Sequence, residues 1–133
     1  TYARLLDSRR LEEYAALFAE QGEWTGSFGT ASGRAAILAM MNKAFDGRPN
    51  TPENRHYHVI SDMIVDTDGD RATAWSRWTF NVRGKDDRPV PIMGGHYEDQ
   101  LVREDGKWKF LRRLAVSDIP HNDPRDPDFV PDF

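Results

Sequence analysis

Apolar residues recur at helical spacing in three segments of the first 45 residues, which predicts three short amphipathic helices. Their apolar positions are Tyr2, Leu5 and Leu6; Leu11, Tyr14, Ala15 and Phe18; and Ile37, Met40, Met41, Ala44 and Phe45. Asp7-Ser8 separates the first two segments, and the breaker Gly47-Arg48-Pro49-Asn50 ends the third. Because a helical pattern starts directly after Thr1, we expect preceding residues to complete the first helix.

From residue 56 onward, apolar and polar residues alternate with a period of two, which predicts strands at 56–66, 72–82, 90–104 and 107–116. Turn sequences at 66–70, 85–89 and 105–106 join them into an antiparallel meander. A strongly curved sheet needs a bulge or glycine where it bends, and Gly94-Gly95 provides one in mid-strand. Alternation places Trp78 and Phe80 on one face and Trp75 on the other.

Helices followed by a curled antiparallel sheet predict the α+β class, with three N-terminal helices closing the concave side of a cone. We expect this cone domain to cover residues 1–117. Residues 118–133 are rich in proline and aspartate and predict an extended arm, whose Phe129, Val130 and Phe133 are available to dock.

Composition narrows the classes of partner. Lys and Arg total 18 against 22 Asp and Glu, a net charge of -4, so no basic stripe is available for nucleic acid. No apolar run reaches the roughly 20 residues needed to cross a bilayer, and the absence of cysteine fits a reducing compartment. We expect a protein of the cytoplasm with a small-molecule partner and no membrane or nucleic-acid partner.

Asp7 and His58 are the candidates for a catalytic pair. An imidazole whose Nδ1 proton is accepted by a carboxylate presents a basic Nε2 to a substrate. Alternatively, Asp7 caps the second helix, as Ser8 also could, and His58 is an ordinary core residue. The residues alone favour this second interpretation. His56 shares the parity of His58, but a metal site needs a third ligand that the sequence does not supply, and no cofactor motif is present.

Most of the remaining candidates lie on the predicted strands. Tyr97 and Asp99 share one face, and a tyrosine hydroxyl among apolar walls is suited to donate a proton or simply to hold structure. Arg113 is suited to stabilise an anion, although alternation alone does not decide whether Arg112 or Arg113 faces inward. Four further residues would line an apolar pocket or belong to the core. These are Trp24, Trp78, Phe80 and Met93.

Five stretches together resemble SnoaL-like proteins of the nuclear transport factor 2 superfamily. The most specific are residues 94–99 (GGHYED) and 101–110 (LVREDGKWKF). Residues 2–8, 22–26 (GEWTG) and 55–60 (RHYHVI) agree in order and spacing, so the resemblance covers the chain from residue 2 to about residue 116. It is strongest to the branch with scytalone dehydratase and hexachlorocyclohexane dehydrochlorinase.

The resemblance implies roles for individual residues. An aspartate after the first helix holds a histidine at the start of the first long strand in that branch, and these roles fall on Asp7 and His58. The dehydrochlorinase also has an arginine on the final strand and a pocket tryptophan in the first loop, which match Arg113 and Trp24.

Two departures separate the chain from both enzymes. The dehydrochlorinase's pocket lysine would lie at Tyr2, and the second catalytic histidine of scytalone dehydratase, expected near Phe80 or Asn81, is absent. Neither reaction therefore carries over unchanged.

The first hypothesis is a cofactor-independent lyase or isomerase, dehydratase-like, acting on a small hydrophobic and cyclic substrate. His58 would remove a proton from carbon, and Arg113 with Tyr2 or Tyr97 would receive the negative charge. The alternative is a non-catalytic binding or assembly module of the same fold. Epoxide hydrolysis ranks below both, because Asp99 and Arg113 supply only part of its paired carboxylates. We also expect a homo-oligomer, a dimer or trimer formed through the sheet face that carries Trp75.

Overall fold

The computed structural model of the chain describes residues 1–131. Its helices are α1 (Tyr2–Asp7), α2 (Leu11–Ala15) and α3 (Arg34–Ala44). Its strands are β1 (Phe18–Gly26), β2 (Gly29–Ser32), β3 (His56–Asp68), β4 (Arg71–Arg83), β5 (Pro89–Glu104) and β6 (Lys107–Ile119). The predicted docking of Phe133 falls outside the described residues.

The six strands form one curved sheet in the order β2-β1-β6-β5-β4-β3. All neighbours are antiparallel except β1 and β6, which run parallel. The three helices pack with β1 into a buried core that includes Leu6, Tyr14, Phe18 and Ile37. The predicted α+β architecture, with N-terminal helices against a curved sheet, is confirmed. No helix among residues 1–131 combines the length and the hydropathy that crossing a bilayer requires.

The prediction that the second helix extends to Phe18 is wrong. The helix ends at Ala15, and Phe18 is the first residue of β1. The Phe110 amide donates to the Leu17 carbonyl at 2.9 Å, so this backbone pairs with β6 instead of continuing the helix. Phe18 is fully buried at the start of β1, and its ring lies 5.3 Å from that of Phe110. Its position in the apolar stripe therefore reflected burial rather than helical structure.

The predicted meander is present, and a β-bulge lies at Gly94 and Gly95, where the bend was predicted. Gly94 pairs with Ile119 and Gly95 with Ser117, so β6 has one extra residue at this point. A Cβ on Gly95 would lie 2.0 Å from the Val116 carbonyl oxygen, and close to the Trp78 indole. Only glycine allows β5 and β6 to approach this closely.

The chain turns back at the end of β6, which runs to Ile119, three residues beyond the predicted end. Ser117 and Asn122 exchange backbone hydrogen bonds of 3.1 and 2.9 Å. Arg125 then donates to Glu98 of β5 at 3.1 Å. Val130 remains 76% exposed. The start of the C-terminal arm is therefore tied to the last two strands.

Candidate active site

Strand register places the candidate residues on one face of the sheet. His58 pairs with Phe80, and Phe80 pairs with Met93, so these three side chains form a row across β3, β4 and β5. Directly paired residues point to the same side, and every second residue along a strand shares it. The face shared by this row, which we call the inner face, also carries Trp78, Tyr97, Asp99, Arg113 and Trp24.

Asp7 and His58 are joined by two hydrogen bonds between the end of α1 and the start of β3. Asp7 Oδ1 lies 2.6 Å from His58 Nδ1, and Asp7 Oδ2 accepts from the His58 backbone N–H at 2.8 Å. Asp7 does not cap α2, which has no side-chain cap. The Ser8 hydroxyl donates to the Arg4 carbonyl at 2.7 Å instead. The structure thus has the carboxylate–imidazole contact and lacks the capping interaction.

The contact fixes which imidazole nitrogen is basic. A carboxylate can only accept a hydrogen bond, so Nδ1 of His58 carries the proton and Nε2 of the neutral ring carries the lone pair. Every fully buried side-chain nitrogen or oxygen among residues 1–131 has a hydrogen-bond partner. His58 Nε2 makes none with those residues, so it keeps accessible surface. The side chains of His58 and Asp7 are 17% and 13% exposed, so the opening to the pair is narrow.

Apolar rings surround the imidazole. The Phe80 ring centroid lies 4.8 Å from that of His58, and the Trp78 ring lies 6.2 Å away. Trp78 stacks in turn on Tyr97 at 6.0 Å. The imidazole therefore lies in a largely aromatic environment.

Arg113 and Asp99 form a buried ion pair on the inner face. Arg113 donates from Nε and Nη2 to the two Asp99 oxygens at 2.7 and 2.6 Å. Burial by itself would lower the pKa of Arg113, but the hydrogen bonds to Asp99 and nearby groups raise it above its ordinary value. The guanidinium also lies over the rings of Tyr2, Tyr97 and Phe110 at 3.9 to 4.1 Å. The arginine is therefore a permanent cation whose charge is already balanced by one carboxylate.

The open choice between the two arginines is settled in favour of Arg113. Arg112 is exposed, and its Nε lies 3.3 Å from a Glu23 oxygen. Gln100 pairs with Arg112 while Leu101 pairs with Phe110, so β6 has a bulge at the intervening residue. The bulge reverses the alternation, and Phe110 and Arg113 share a side despite their odd spacing.

Tyr2 is the centre of a small hydroxyl network. Its oxygen lies 2.7 Å from the Tyr14 hydroxyl and accepts from Trp24 Nε1 at 3.1 Å. Tyr14 is fully buried, and burial followed by the proximity of Tyr2 raises its pKa well above the ordinary value. If Tyr2 donated to Tyr14, the Tyr14 proton would be buried without an acceptor, at a cost of about 1–3 kcal/mol. We infer that Tyr14 donates, which leaves the Tyr2 proton for another acceptor.

The Tyr97 hydroxyl is a second free donor. The side chain is only 4% exposed, and its oxygen has no hydrogen-bond partner within residues 1–131. Because fully buried polar atoms in this part of the chain are all paired, the hydroxyl reaches accessible space. Burial, and then the proximity of Tyr2, raises the pKa of Tyr97 well above its ordinary value, so the hydroxyl stays protonated.

His56 has a separate environment. Its Nε2 lies 2.7 Å from Arg9 Nη2, and its Nδ1 lies 3.1 Å from the Asn54 carbonyl. Among residues 1–131, no three His, Asp or Glu side chains are arranged to hold a metal ion. Burial lowers the pKa of His56, and its ring is fixed by two hydrogen bonds.

Sequence reasoning missed Arg9 and Asn50. The interpretation of 47–50 as a helix breaker concealed the side chain of Asn50, which contacts both Asp7 and His56. Arg9 has a φ of 57°, an uncommon value outside glycine that no sequence pattern announced. A loop asparagine between two elements was the one available signal for Asn50.

Concavities also occur on the outer face of the sheet. One of about 450 Å³ is bordered by Trp75, Glu98 and Arg125, and neither Asp7 nor His58 lines it. The Trp75 ring there stacks on His96 at 5.7 Å. This concavity therefore lies apart from the Asp7–His58 pair.

Several solved structures share the fold of this chain. The chain is 30% identical to a protein from Novosphingobium aromaticivorans described as a candidate scytalone dehydratase, with a TM-score of 0.69 over 87% of this chain and 76% of that one. It is 24% identical to ActVI-ORFA from Streptomyces coelicolor, with a TM-score of 0.75 over 89% and 90% of the two chains. A Mycobacterium tuberculosis protein of unknown function is 23% identical, with a TM-score of 0.74 over 88% of this chain, which spans 65% of that protein.

A second Novosphingobium aromaticivorans structure, described as a nuclear transport factor 2-like protein with a cystatin-like fold, is 25% identical, with a TM-score of 0.72 over 87% of this chain and 74% of that one. A comparison with curated proteins finds no match. The model of the SnoaL-like domain matches residues 1–114. With a match over most of its length, the chain belongs to the SnoaL-like domain family.

Proposed function

We propose that the protein is a cofactor-independent lyase or isomerase in which His58 Nε2 removes a proton from a substrate carbon. The observation that carries this proposal is the asymmetry of the imidazole. Asp7 holds Nδ1 at 2.6 Å, whereas Nε2 has no partner within residues 1–131 and keeps accessible surface. A positioned base with an orienting carboxylate is the arrangement that general-base catalysis requires.

The proposed step is as follows. The C–H bond breaks, its proton moves to Nε2, and its electron pair enters an adjacent carbonyl as an enolate. The imidazolium is stabilised by the Asp7 carboxylate. In a dehydration, the electrons return to form a carbon–carbon double bond while a β-hydroxyl leaves with the proton from Nε2 as water. In an isomerisation, the same proton returns to a different carbon.

The hydroxyls of Tyr2 and Tyr97 are the proposed donors to the developing oxyanion. Their rings lie 5.6 Å apart, and each hydroxyl has a proton without an acceptor by the arguments above. Preorganised donors in a water-poor site stabilise such charge most effectively. Arg113 contributes less to stabilising the oxyanion, because two of its nitrogens already donate to Asp99.

The family supports this chemistry in outline. SnoaL-like proteins include polyketide cyclases and dehydratases. The apolar lining of Trp78, Phe80 and Met93 suits a small cyclic substrate bearing a ketone. Location in the cytoplasm, assembly through the outer face and the division at residue 117 stay predictions.

The test is turnover on a panel of cyclic β-hydroxyketones and β,γ-unsaturated ketones, followed by the ultraviolet absorbance of the conjugated product. We expect His58→Gln to lose about 10²–10⁴-fold in kcat/KM. The matched control is His96→Gln, since His96 Nδ1 also contacts an aspartate, Asp118, at 3.0 Å but on the outer face. Full activity of a folded His58→Gln variant would refute the proposal.

A non-catalytic binding module is the second candidate. The observation in its favour is close packing of the inner face, where Trp24, Trp78 and Tyr97 are 4%, 7% and 4% exposed. A protein that only binds would retain a copurified apolar ligand in native mass spectrometry and release it unchanged. Epoxide hydrolysis receives no such support, since the Asp7 carboxylate is directed to His58 and Arg113 is paired with Asp99 alone among residues 1–131.

A further inference from the structure

Asn50, in the segment between α3 and β3, uses its whole side-chain amide within the protein. Its Nδ2 donates to the Asp7 carbonyl at 2.9 Å and to the His56 carbonyl at 2.7 Å. Its Oδ1 accepts from the His56 backbone N–H at 3.2 Å. An asparagine amide has two N–H donors, so both are satisfied here.

These contacts join the two elements that carry the candidate pair. Asp7 is the last residue of α1, and His56 is the first residue of β3, two positions before His58 on the same face. One planar amide therefore sets the separation between the backbone that supports the carboxylate and the backbone that supports the imidazole. A shift of about 1 Å between such supports is enough to impair a catalytic contact.

Arg9 adds a second connection at the same place. It donates from Nη1 to the Leu6 carbonyl at 2.8 Å and from Nη2 to the Arg48 carbonyl at 3.1 Å, and Nη2 lies 2.7 Å from His56 Nε2. Arg9 thus supports the side chain of His56, whereas Asn50 holds the backbone of His56 and of Asp7. The amide is the more direct link to Asp7.

We propose that Asn50 is a positioning residue for the Asp7–His58 pair, acting by fixing the end of α1 against the start of β3. The inference rests on the proposed function in one respect, namely that the orientation of His58 matters for chemistry. Its physical content is independent of any substrate: without the Asn50 donors, Asp7 holds Nδ1 of His58 less well.

The test is the tautomer of His58, measured from imidazole ¹H–¹⁵N spectra of ¹⁵N-labelled protein above the pH at which the ring is protonated. Wild-type protein should show mainly the Nδ1–H form. Because the loss of the Asn50 hydrogen bonds loosens the Asp7 contact that selects Nδ1–H, Asn50→Ala should lower the ratio of Nδ1–H to Nε2–H about two- to tenfold. Loss of stability alone would not alter the tautomer ratio of the folded protein.

A matched control lies four residues away. Among residues 1–131 the Asn54 side chain donates only to the Pro49 carbonyl, at 3.4 Å, so Asn54→Ala should keep the wild-type ratio. If Asn50→Ala does not fold, Asn50→Asp preserves the side-chain shape and removes the donors. A wild-type ratio in either folded Asn50 variant would overturn the inference while leaving the pair intact. A wild-type protein without the Nδ1–H form would instead overturn the proposed function.

Discussion

Replacing Asp99 with asparagine should destabilise the protein strongly, because it removes the carboxylate from a buried ion pair. The side chains of Arg113 and Asp99 are 6% and 3% exposed, and both carboxylate oxygens accept from the guanidinium at 2.7 and 2.6 Å. Asparagine keeps the volume and one acceptor but directs an amide N–H₂ at a donor. The change therefore isolates the charge and one hydrogen bond.

The magnitude follows from what remains around the cation. Breaking a buried pair from one side costs about 3–5 kcal/mol, because the other charge is left without compensation. The rings of Tyr2, Tyr97 and Phe110 still contact the guanidinium at 3.9 to 4.1 Å and stabilise it by cation–π attraction. We therefore expect the lower end of the range, about 3 kcal/mol.

Urea unfolding followed by tryptophan fluorescence at pH 7 measures this loss as a change in the free energy of unfolding. The control is Asp70→Asn, which breaks an exposed contact of 3.3 Å to Arg103 and should cost less than about 1 kcal/mol. Removing both charges with Asp99→Leu and Arg113→Met should recover much of the stability, since the cost lies in the unpaired cation. An Asp99→Asn variant as stable as the Asp70→Asn control would refute the reasoning.

Three further predictions concern the bend, pH and the free hydroxyl. Gly95→Ala should cost at least about 3 kcal/mol in the free energy of unfolding, since its Cβ would lie 2.0 Å from a carbonyl oxygen, whereas Gly94→Ala, with its nearest atom at 3.6 Å, should cost far less in the same urea assay. Burial lowers the pKa of His56, so as pH falls below about 6.5 the unfolded chain takes up the His56 proton before the folded protein does. The free energy of unfolding of the wild type should therefore decline there by up to about 1.4 kcal/mol per pH unit more than that of His56→Gln. Equal slopes in urea midpoints from pH 8 to 5 would contradict this. Tyr97→Phe removes a hydroxyl that has no partner within residues 1–131, so it should change the free energy of unfolding by less than about 0.5 kcal/mol. The same variant should lower kcat tenfold or more on any substrate found. Unchanged turnover would remove Tyr97 from the mechanism.

Much of the sheet could be predicted because alternation is a direct consequence of one buried face. The strands from residue 56 onward were found from that rule, and Gly94-Gly95 marked the position of a bulge. The strands β1 and β2 were missed, because Gly22, Gly26 and Gly29 interrupt the pattern. A Cβ on Gly22 would lie 2.8 Å from the Phe110 carbonyl oxygen, so this glycine records an approach of two strands that are remote in sequence.

At the site, too, features set by neighbouring residues could be predicted, whereas contacts between residues remote in sequence could not. Nothing local distinguishes an aspartate that caps a helix from one that reaches His58, 51 residues away. Only the resemblance to a family selected the second. Likewise, a bulge in β6 directs Arg113 rather than Arg112 inward, and one extra residue in a strand leaves no clear mark in an alternating pattern. Residues such as Asn50 act through backbone contacts across the fold, which are invisible before the elements are placed.

The described part of the chain contains a second Asp–His contact, and comparison with it shows what is particular about Asp7 and His58. His96 Nδ1 lies 3.0 Å from both Asp118 oxygens, and its Nε2 lies 3.4 Å from Glu98, so each ring nitrogen faces a carboxylate. Neither ring nitrogen of His96 is therefore left open to a substrate. In His58, by contrast, one nitrogen is held by Asp7, and the other has no hydrogen-bond partner among residues 1–131 and lies near the rings of Trp78 and Phe80. The same two residue types therefore give a ring with both nitrogens engaged in one environment and a ring with one open nitrogen in the other, which is why variants of both histidines must be compared in any test of activity.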